Sequence, residues 1–381
     1  MATVGRNRVG ESAWASLRRF QNPAFVARYL QDLHGLPDSQ KSNAQKQASQ
    51  VRYSLQQAKE YFDAGEVATL ATQPNLMYYC TMSLVLAEIL VKQSGDSSLD
   101  RARAQHRHHG LEFRCDGRWQ RGRSLREAAQ NLRAMPLLRP NGEGFGTFEL
   151  WHRTAREDPL GGNVTQVVNL AGGTTSGFRC LLTPLDERLA RLPGEGITLL
   201  DCLQALSRID LAYLGVQKAT VRATLSANVQ TMPNNQSDYT LIIHPGNNDL
   251  IAEFLDNIIF YPSAVDQVSF NEFPSGGILN WHNDGMSTLV FRSAPHGYML
   301  HAGEVRFWPQ NRPLNEFGYL YVAMFLAGNY ARYYPDWWLR DIEEASPLAL
   351  AIEQLLRIAG EQIPLSTLSE LSRTSFVREA P

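Results

Sequence analysis

The chain has 381 residues, of which 44% are hydrophobic and 19% charged, and its formal net charge is -2. That composition belongs to a globular protein with a sizeable core and excludes a collagenous or disordered chain. The near-neutral balance excludes a surface that is basic throughout, so contact with nucleic acid or anionic lipid would have to come from a local patch.

The first ten residues hold no apolar stretch of the secretory type, which predicts a cytoplasmic location. Between Ala48 and Ala64, Val51, Leu55, Ala58 and Phe62 recur at steps of three and four, predicting an amphipathic helix that Gly65 ends. Pro74 opens a nearly all-apolar helix, since a proline is tolerated in a first turn whose N–H groups lack partners anyway. Leu76 to Val91 and Phe317 to Ala327 read as buried helices rather than membrane spans. The first contains Glu88, and the second is about half of the ~20 apolar residues that a bilayer core requires.

Ser94 to Asp100 is a polar loop, and the most basic part of the chain follows it. Arg101, Arg103, Arg107, Arg114, Arg118, Arg121, Arg123 and Arg126 lie there together with His106, His108 and His109. The Pro- and Gly-rich segment from Pro136 to Gly146 predicts a module boundary. The expected organisation is a helical domain over residues 1–140 that carries the basic segment, a strand-rich domain over 141–315, and a helical segment over 316–381 packing on the rest.

One short helix is expected between Leu199 and Leu214. Strands are expected within Lys218–Gln230, Tyr239–Pro245, Ala264–Phe273, Gly276–Trp281 and Glu304–Pro309, which are rich in β-branched and aromatic residues and separated by turn clusters. Because these strands are consecutive, the fold class expected is α+β with a mainly antiparallel central sheet. In the tail, Ser346 and Pro347 start a helix with Leu348, Ile352, Leu355 and Leu356 on one face, ended by Gly360.

The common phosphate-binding, dinucleotide-binding, zinc-protease and serine-hydrolase motifs are absent from the sequence. The glycine-rich stretch Leu170 to Phe178 has no lysine and reads as a surface loop. Cys80, Cys115, Cys180 and Cys202 are far apart with no C-x-x-C pair, so reduced thiols are expected and neither a metal nor a cofactor is. The segment Asn329 to Trp338 packs five aromatics around Arg332, Pro335 and Asp336, and reads as the closure of a core with Arg332 pairing Asp336 or stacking on a ring.

Arg101 with His106 and Arg103 with His108 share the R-x-x-x-x-H spacing of HEPN-type ribonucleases. In that arrangement the histidine moves a proton while the guanidinium holds the scissile phosphate. In so Arg- and His-rich a stretch the spacing arises readily by chance, so Arg103 and His108 are catalytic candidates on an alternative reading only. The main reading is a solvated basic face or a docking patch for an acidic protein, a phosphate or an anionic head group. It would be formed by Arg101, Arg103, His106, His108, His109, Arg114 and Arg118.

The ordered set of segments Ser12–Leu30, Leu55–Gly65, Gln73–Leu90, His109–Phe113, Gly144–Leu150, Leu199–Ile209 and Phe317–Trp338 resembles the YaaC-like family of bacterial proteins. Members of that family are not established enzymes, and some act as the sensing component of anti-phage systems. The resemblance implies a non-enzymatic sensor or adaptor that binds a phage protein expressed early in infection. It also implies recruitment of a separate bacterial effector, with a membrane-active protein as one candidate, and no stable nucleic acid partner. Where the family carries a lysine-rich segment after its His-Gly-Leu triplet, this chain has arginines and Trp119.

Overall fold

The computed structural model describes residues 2–4, 9–92, 107–154, 163–169, 175–182, 192–206, 208–209, 211–218, 221–228, 237–244, 249, 251–252, 258–261, 269–273, 276–283, 288–291, 298–301, 304–307, 314–373 and 376–378. The N-terminal part is helical. Helix α1 spans Val9–Leu17 and α2 spans Pro23–His34. Asn22 caps α2 by accepting hydrogen bonds from the backbone N–H groups of Ala24 and Phe25 at 3.0 and 3.2 Å, with Pro23 at the first helical position. Gly35 ends α2 in the left-handed conformation at φ 59°.

Helix α3 (Lys41–Val67) and helix α4 (Gln73–Lys92) form a helical hairpin at the centre of the fold. The buried face of α3 carries Ala44, Ala48, Val51, Leu55 and Ala58, the three-and-four spacing that the sequence displays. The helix runs past Gly65 rather than ending there. A Cβ at Gly65 would stand 3.2 Å from Met77 Sδ on α4, so this glycine serves close helix packing rather than termination. Trp338 ties down the α3–α4 turn from outside, its Nε1 donating to the carbonyl oxygens of Leu70 and Ala71 at 3.3 and 3.1 Å.

A three-stranded antiparallel sheet follows, in the order β2 (Leu111–Cys115), β3 (Leu132–Pro136), β6 (Ile197–Thr198). The short helix α5 (Leu125–Gln130) lies between β2 and β3, and its capping box joins Ser124 and Glu127. Helix α6 spans Thr147–Thr154, and α7 is restricted to Leu199–Ala205, capped by Thr198 and Asp201.

The strands expected in the middle of the chain are present, with β7 at Val221–Asn228, β8 at Ser237–Ile243, β10 at Ser269–Phe273, β11 at Gly276–Asn283 and β14 at Glu304–Phe307. Together with β1 (Ala2–Val4), β13 (Tyr298–His301) and β15 (Phe376–Arg378) they form an eight-stranded sheet in the order β1-β15-β13-β14-β7-β8-β11-β10. It is antiparallel except where β15 pairs with β1 and β13. A four-stranded sheet has the order β4 (Asn163–Asn169), β5 (Thr175–Leu182), β12 (Thr288–Phe291), β9 (Ile258–Tyr261). Strand β5 takes up residues that the glycine-rich reading assigned to a loop; Gly177 pairs with Val167 of β4 inside the ladder.

The C-terminal part is again helical, with α8 at Glu316–Tyr333, α9 at Pro335–Glu343 and α10 at Pro347–Ser372. Helix α10 continues through Gly360 and Pro364, so Gly360 is not its end. Gly10 of α1 meets α10 at that point, where a Cβ on Gly10 would stand 2.9 Å from the Gly360 carbonyl oxygen. Helices α8 and α10 both pack on α4. Helix α4 is the one described helix long and apolar enough to cross a membrane, and most of that stretch is buried inside the fold.

One hydrophobic core joins the helices and the three-stranded sheet, drawing on Trp14, Leu55, Leu84, Leu132, Trp151, Leu203, Tyr321, Tyr330, Trp338 and Leu355. The chain is thus α+β, with helices at both ends and mainly antiparallel strands in the middle.

Candidate functional site at the His108–His109 turn

Of the Arg/His segment, the turn before β2 is the part most tightly fixed by backbone. The His108 carbonyl oxygen accepts from the N–H and the hydroxyl of Thr147 at 2.8 and 3.1 Å, and the His109 carbonyl oxygen accepts from Phe148 N–H at 2.9 Å. These donors belong to the first turn of α6, whose N–H groups have no partner within the helix. Gly110 and Gly146 make the crossing possible. Gly146 has φ 106°, and a Cβ there would stand 2.4 Å from Gly110 Cα.

The side chains of the turn diverge. His109 Nδ1 is hydrogen-bonded to Tyr78 Oη of α4 at 2.8 Å. Tyr78 in turn stacks on Tyr321 with 6.5 Å between ring centroids and meets the Phe325 ring edge-on at 5.6 Å. Burial pushes the Tyr78 phenol well above its ordinary range, with Tyr321 and Tyr79 adding to the effect. Burial of its inner edge, then the Arg332 guanidinium, then His108, hold the His109 imidazole below the ordinary histidine value. His109 is therefore a neutral, fixed group near neutral pH, although its outer edge is open to solvent. His108 is exposed and lies edge-on to Phe145 at 5.3 Å, with Arg139 over the same ring at 5.8 Å.

Arg332 approaches this turn from the end of α8. Its Nη1 donates to Tyr79 Oη at 2.9 Å, and its guanidinium lies 5.2 Å over the Tyr333 ring. Tyr79 stacks on Tyr61 of α3 at 5.4 Å. The expected stacking of Arg332 on a ring is present, while its hydrogen-bond partner is Tyr79 rather than Asp336. Among the described residues no carboxylate stands within ion-pair distance of Arg139 or Arg332.

The remaining basic residues go to different places. Arg101, Arg103 and His106 lie outside the described residues, so neither R-x-x-x-x-H pair is described whole. Arg114, on β2, faces Glu112 at 3.3 Å with both side chains about half exposed. Arg118 is exposed in the loop that follows, and Arg121 pairs with Glu344, which caps the end of α9, at 3.5 Å. Arg123 turns inward, where its Nη2 donates to Asp341 Oδ2 at 2.7 Å and to Tyr330 Oη at 2.9 Å. Among the described residues the arginine run comprises one buried anchor, Arg123, and several surface residues.

A second polar centre lies deeper. Trp151 Nε1 of α6 donates to Glu88 Oε2 of α4 at 2.9 Å, and Glu88 is wholly buried. Burial above all pushes the Glu88 carboxyl up to about 7, with Lys92 opposing and Glu370 reinforcing the shift. Lys92 and Glu370 pair with each other at 2.5 Å. Among the described residues no group of three or more His, Cys, Asp or Glu side chains is gathered as a metal site requires. A shallow cleft of about 910 Å³ between α2 and the start of α3 is lined by Arg28, Asp32 and Lys41 among others.

The arrangement at the turn can hold an anion against Arg332 and the outward imidazole edges, with tyrosine rings beside it. Reading the sequence alone missed Arg332 and Tyr79 as neighbours of His109, because 223 residues separate His109 from Arg332. The density of aromatics around Arg332 was the available signal. No curated protein sequence and no solved structure matches the chain. The family model for YaaC-like proteins matches residues 18–133 and 169–371, and the chain belongs to the YaaC-like protein family.

Proposed function

We propose that the chain is a recognition and recruitment protein of anti-phage defence, which binds a component made early in infection and calls a separate effector. Within the YaaC-like family the finer resemblance is to the jumbo-phage immunity sensor JukA, and that likeness supports a cytoplasmic, non-enzymatic role. The observation that carries the recognition part is the His108–His109 turn. It is clamped by the Thr147 and Phe148 N–H groups and lies beside Arg332, which has no carboxylate partner among the described residues, so it offers a preorganised surface.

The test is capture of tagged protein from infected and uninfected cells, with His108→Ala and Arg103→Ala in parallel. Recovery of a phage protein and a bacterial effector by the unaltered chain and by Arg103→Ala supports the sensor, and weaker recovery of the phage protein by His108→Ala supports recognition at the turn. Recovery of cleaved RNA, with cell protection lost in His108→Ala, would instead establish a metal-independent ribonuclease using Arg103 and His108.

A further inference from the structure

The surface beside the turn alternates cations and rings in a way that the clamp alone does not require. Arg332 spends one N–H on Tyr79 Oη and lays one face on Tyr333, which leaves most of the five N–H donors of a guanidinium turned to solvent. His109 has its Nδ1 engaged by Tyr78, so Nε2 is the nitrogen left to face outward, and exposed His108 precedes it in sequence. The adjacent residues Tyr78 and Tyr79 bind His109 and Arg332 respectively, which sets the neutral imidazole and the guanidinium side by side. Tyr333 is 58% exposed, and Tyr61 and Tyr79 form a stacked pair next to it in the Arg332 contacts.

A planar guanidinium with free donors recognises phosphate oxygens, and neighbouring open aromatic faces recognise bases. We propose that Arg332 and the outward Nε2 edge of His109 bind the phosphate of a nucleotide whose base stacks on the tyrosines of this face, Tyr333 foremost. The nucleotide is either free or part of a single-stranded nucleic acid, since both present the same phosphate and base. This assignment concerns the ligand of one face and stands whether or not the chain acts in defence.

The experiment is calorimetric titration of the full chain with AMP, a short single-stranded RNA, inorganic phosphate and a glutamate-rich peptide, alongside NMR observation of the histidine ring resonances. AMP or the RNA is expected to bind, to shift the His109 resonances, and to bind more tightly than inorganic phosphate. Arg332→Gln, which keeps a donor for Tyr79 and removes the charge, should weaken binding tenfold or more with an unchanged circular dichroism spectrum. Tyr333→Ser, at an exposed ring, should narrow the advantage of AMP over phosphate. Preference for AMP identifies a free nucleotide as the ligand, and preference for the RNA a strand. Absence of binding by both, indifference to Arg332→Gln, or equal binding of the peptide would overturn the proposal.

Discussion

Arg123 and Asp341 form a buried ion pair across 218 residues of sequence, with 7% and 1% of their side chains exposed and 2.7 Å between Nη2 and Oδ2. Tyr330 closes the triangle by donating to the same Asp341 oxygen at 2.6 Å, and burial followed by that carboxylate pushes its phenol far up. The pair pins the loop before α5 to α9, so Arg123 holds the arginine-rich segment while Arg107, Arg114, Arg118, Arg121 and Arg126 stay exposed.

Asp341→Ala is expected to cost about 3–5 kcal/mol of stability, because it leaves Arg123 buried without a counter-charge. Arg123 Nε already lacks a hydrogen-bond partner, so little is left to compensate the loss. Replacing both residues, as Arg123→Met with Asp341→Leu, should recover most of that cost. Urea denaturation of the single and double variants checks this. Equal destabilisation by the double variant would mean that the pair stabilises the fold beyond mutual neutralisation.

Glu88 makes stability depend on pH in a direction opposite to that of most carboxylates. Its folded value of about 7 lies above the ordinary 4.5, so the folded state binds the proton more tightly than the unfolded chain. The contribution of Glu88 to stability is therefore fully present below about pH 4.5, is lost as the pH rises towards 7, and changes little above that. A difference of about 2.5 units amounts to about 3 kcal/mol. Glu88→Gln keeps an acceptor for Trp151 and should raise stability at pH 8 by up to that amount, with little change at pH 4. Melting curves at the two pH values decide it; an equal effect at both would locate the change in packing instead.

Local periodicity was enough to find some of the elements, and it failed where a residue's purpose lies on another element. The face of α3 and the antiparallel strands β7, β8, β10 and β11 follow from spacing and β-branched content alone. Gly65 and Gly360 look like stop signals because glycine commonly ends helices, yet both sit inside helices where a second helix comes close. Asp341 sits among the charged residues of α9 with nothing in its neighbourhood to mark it as the partner of Arg123. The histidines of the candidate site were legible as a cluster, but which of them is fixed depends on Tyr78, a residue that reads only as core.

Gly146→Ala tests whether the clamp under His108 and His109 is what holds the site. Two costs meet at this position. The backbone has φ 106°, which costs an L-residue about 1–3 kcal/mol. The new methyl would also stand 2.4 Å from Gly110 Cα and 2.9 Å from the His108 carbonyl oxygen, an overlap with backbone worth about 1–3 kcal/mol more. Gly142 separates the two effects, since it has φ 80° and open space where its Cβ would be. Gly142→Ala should therefore show the conformational cost alone. In Gly146→Ala, amide exchange over residues 108–111 should accelerate, and the His109 pKa should rise towards its ordinary value as its burial beside Tyr78 is lost. Gly142→Ala should leave both readouts unchanged, and matching behaviour of the two variants would show that the turn is not held by the Gly110–Gly146 crossing.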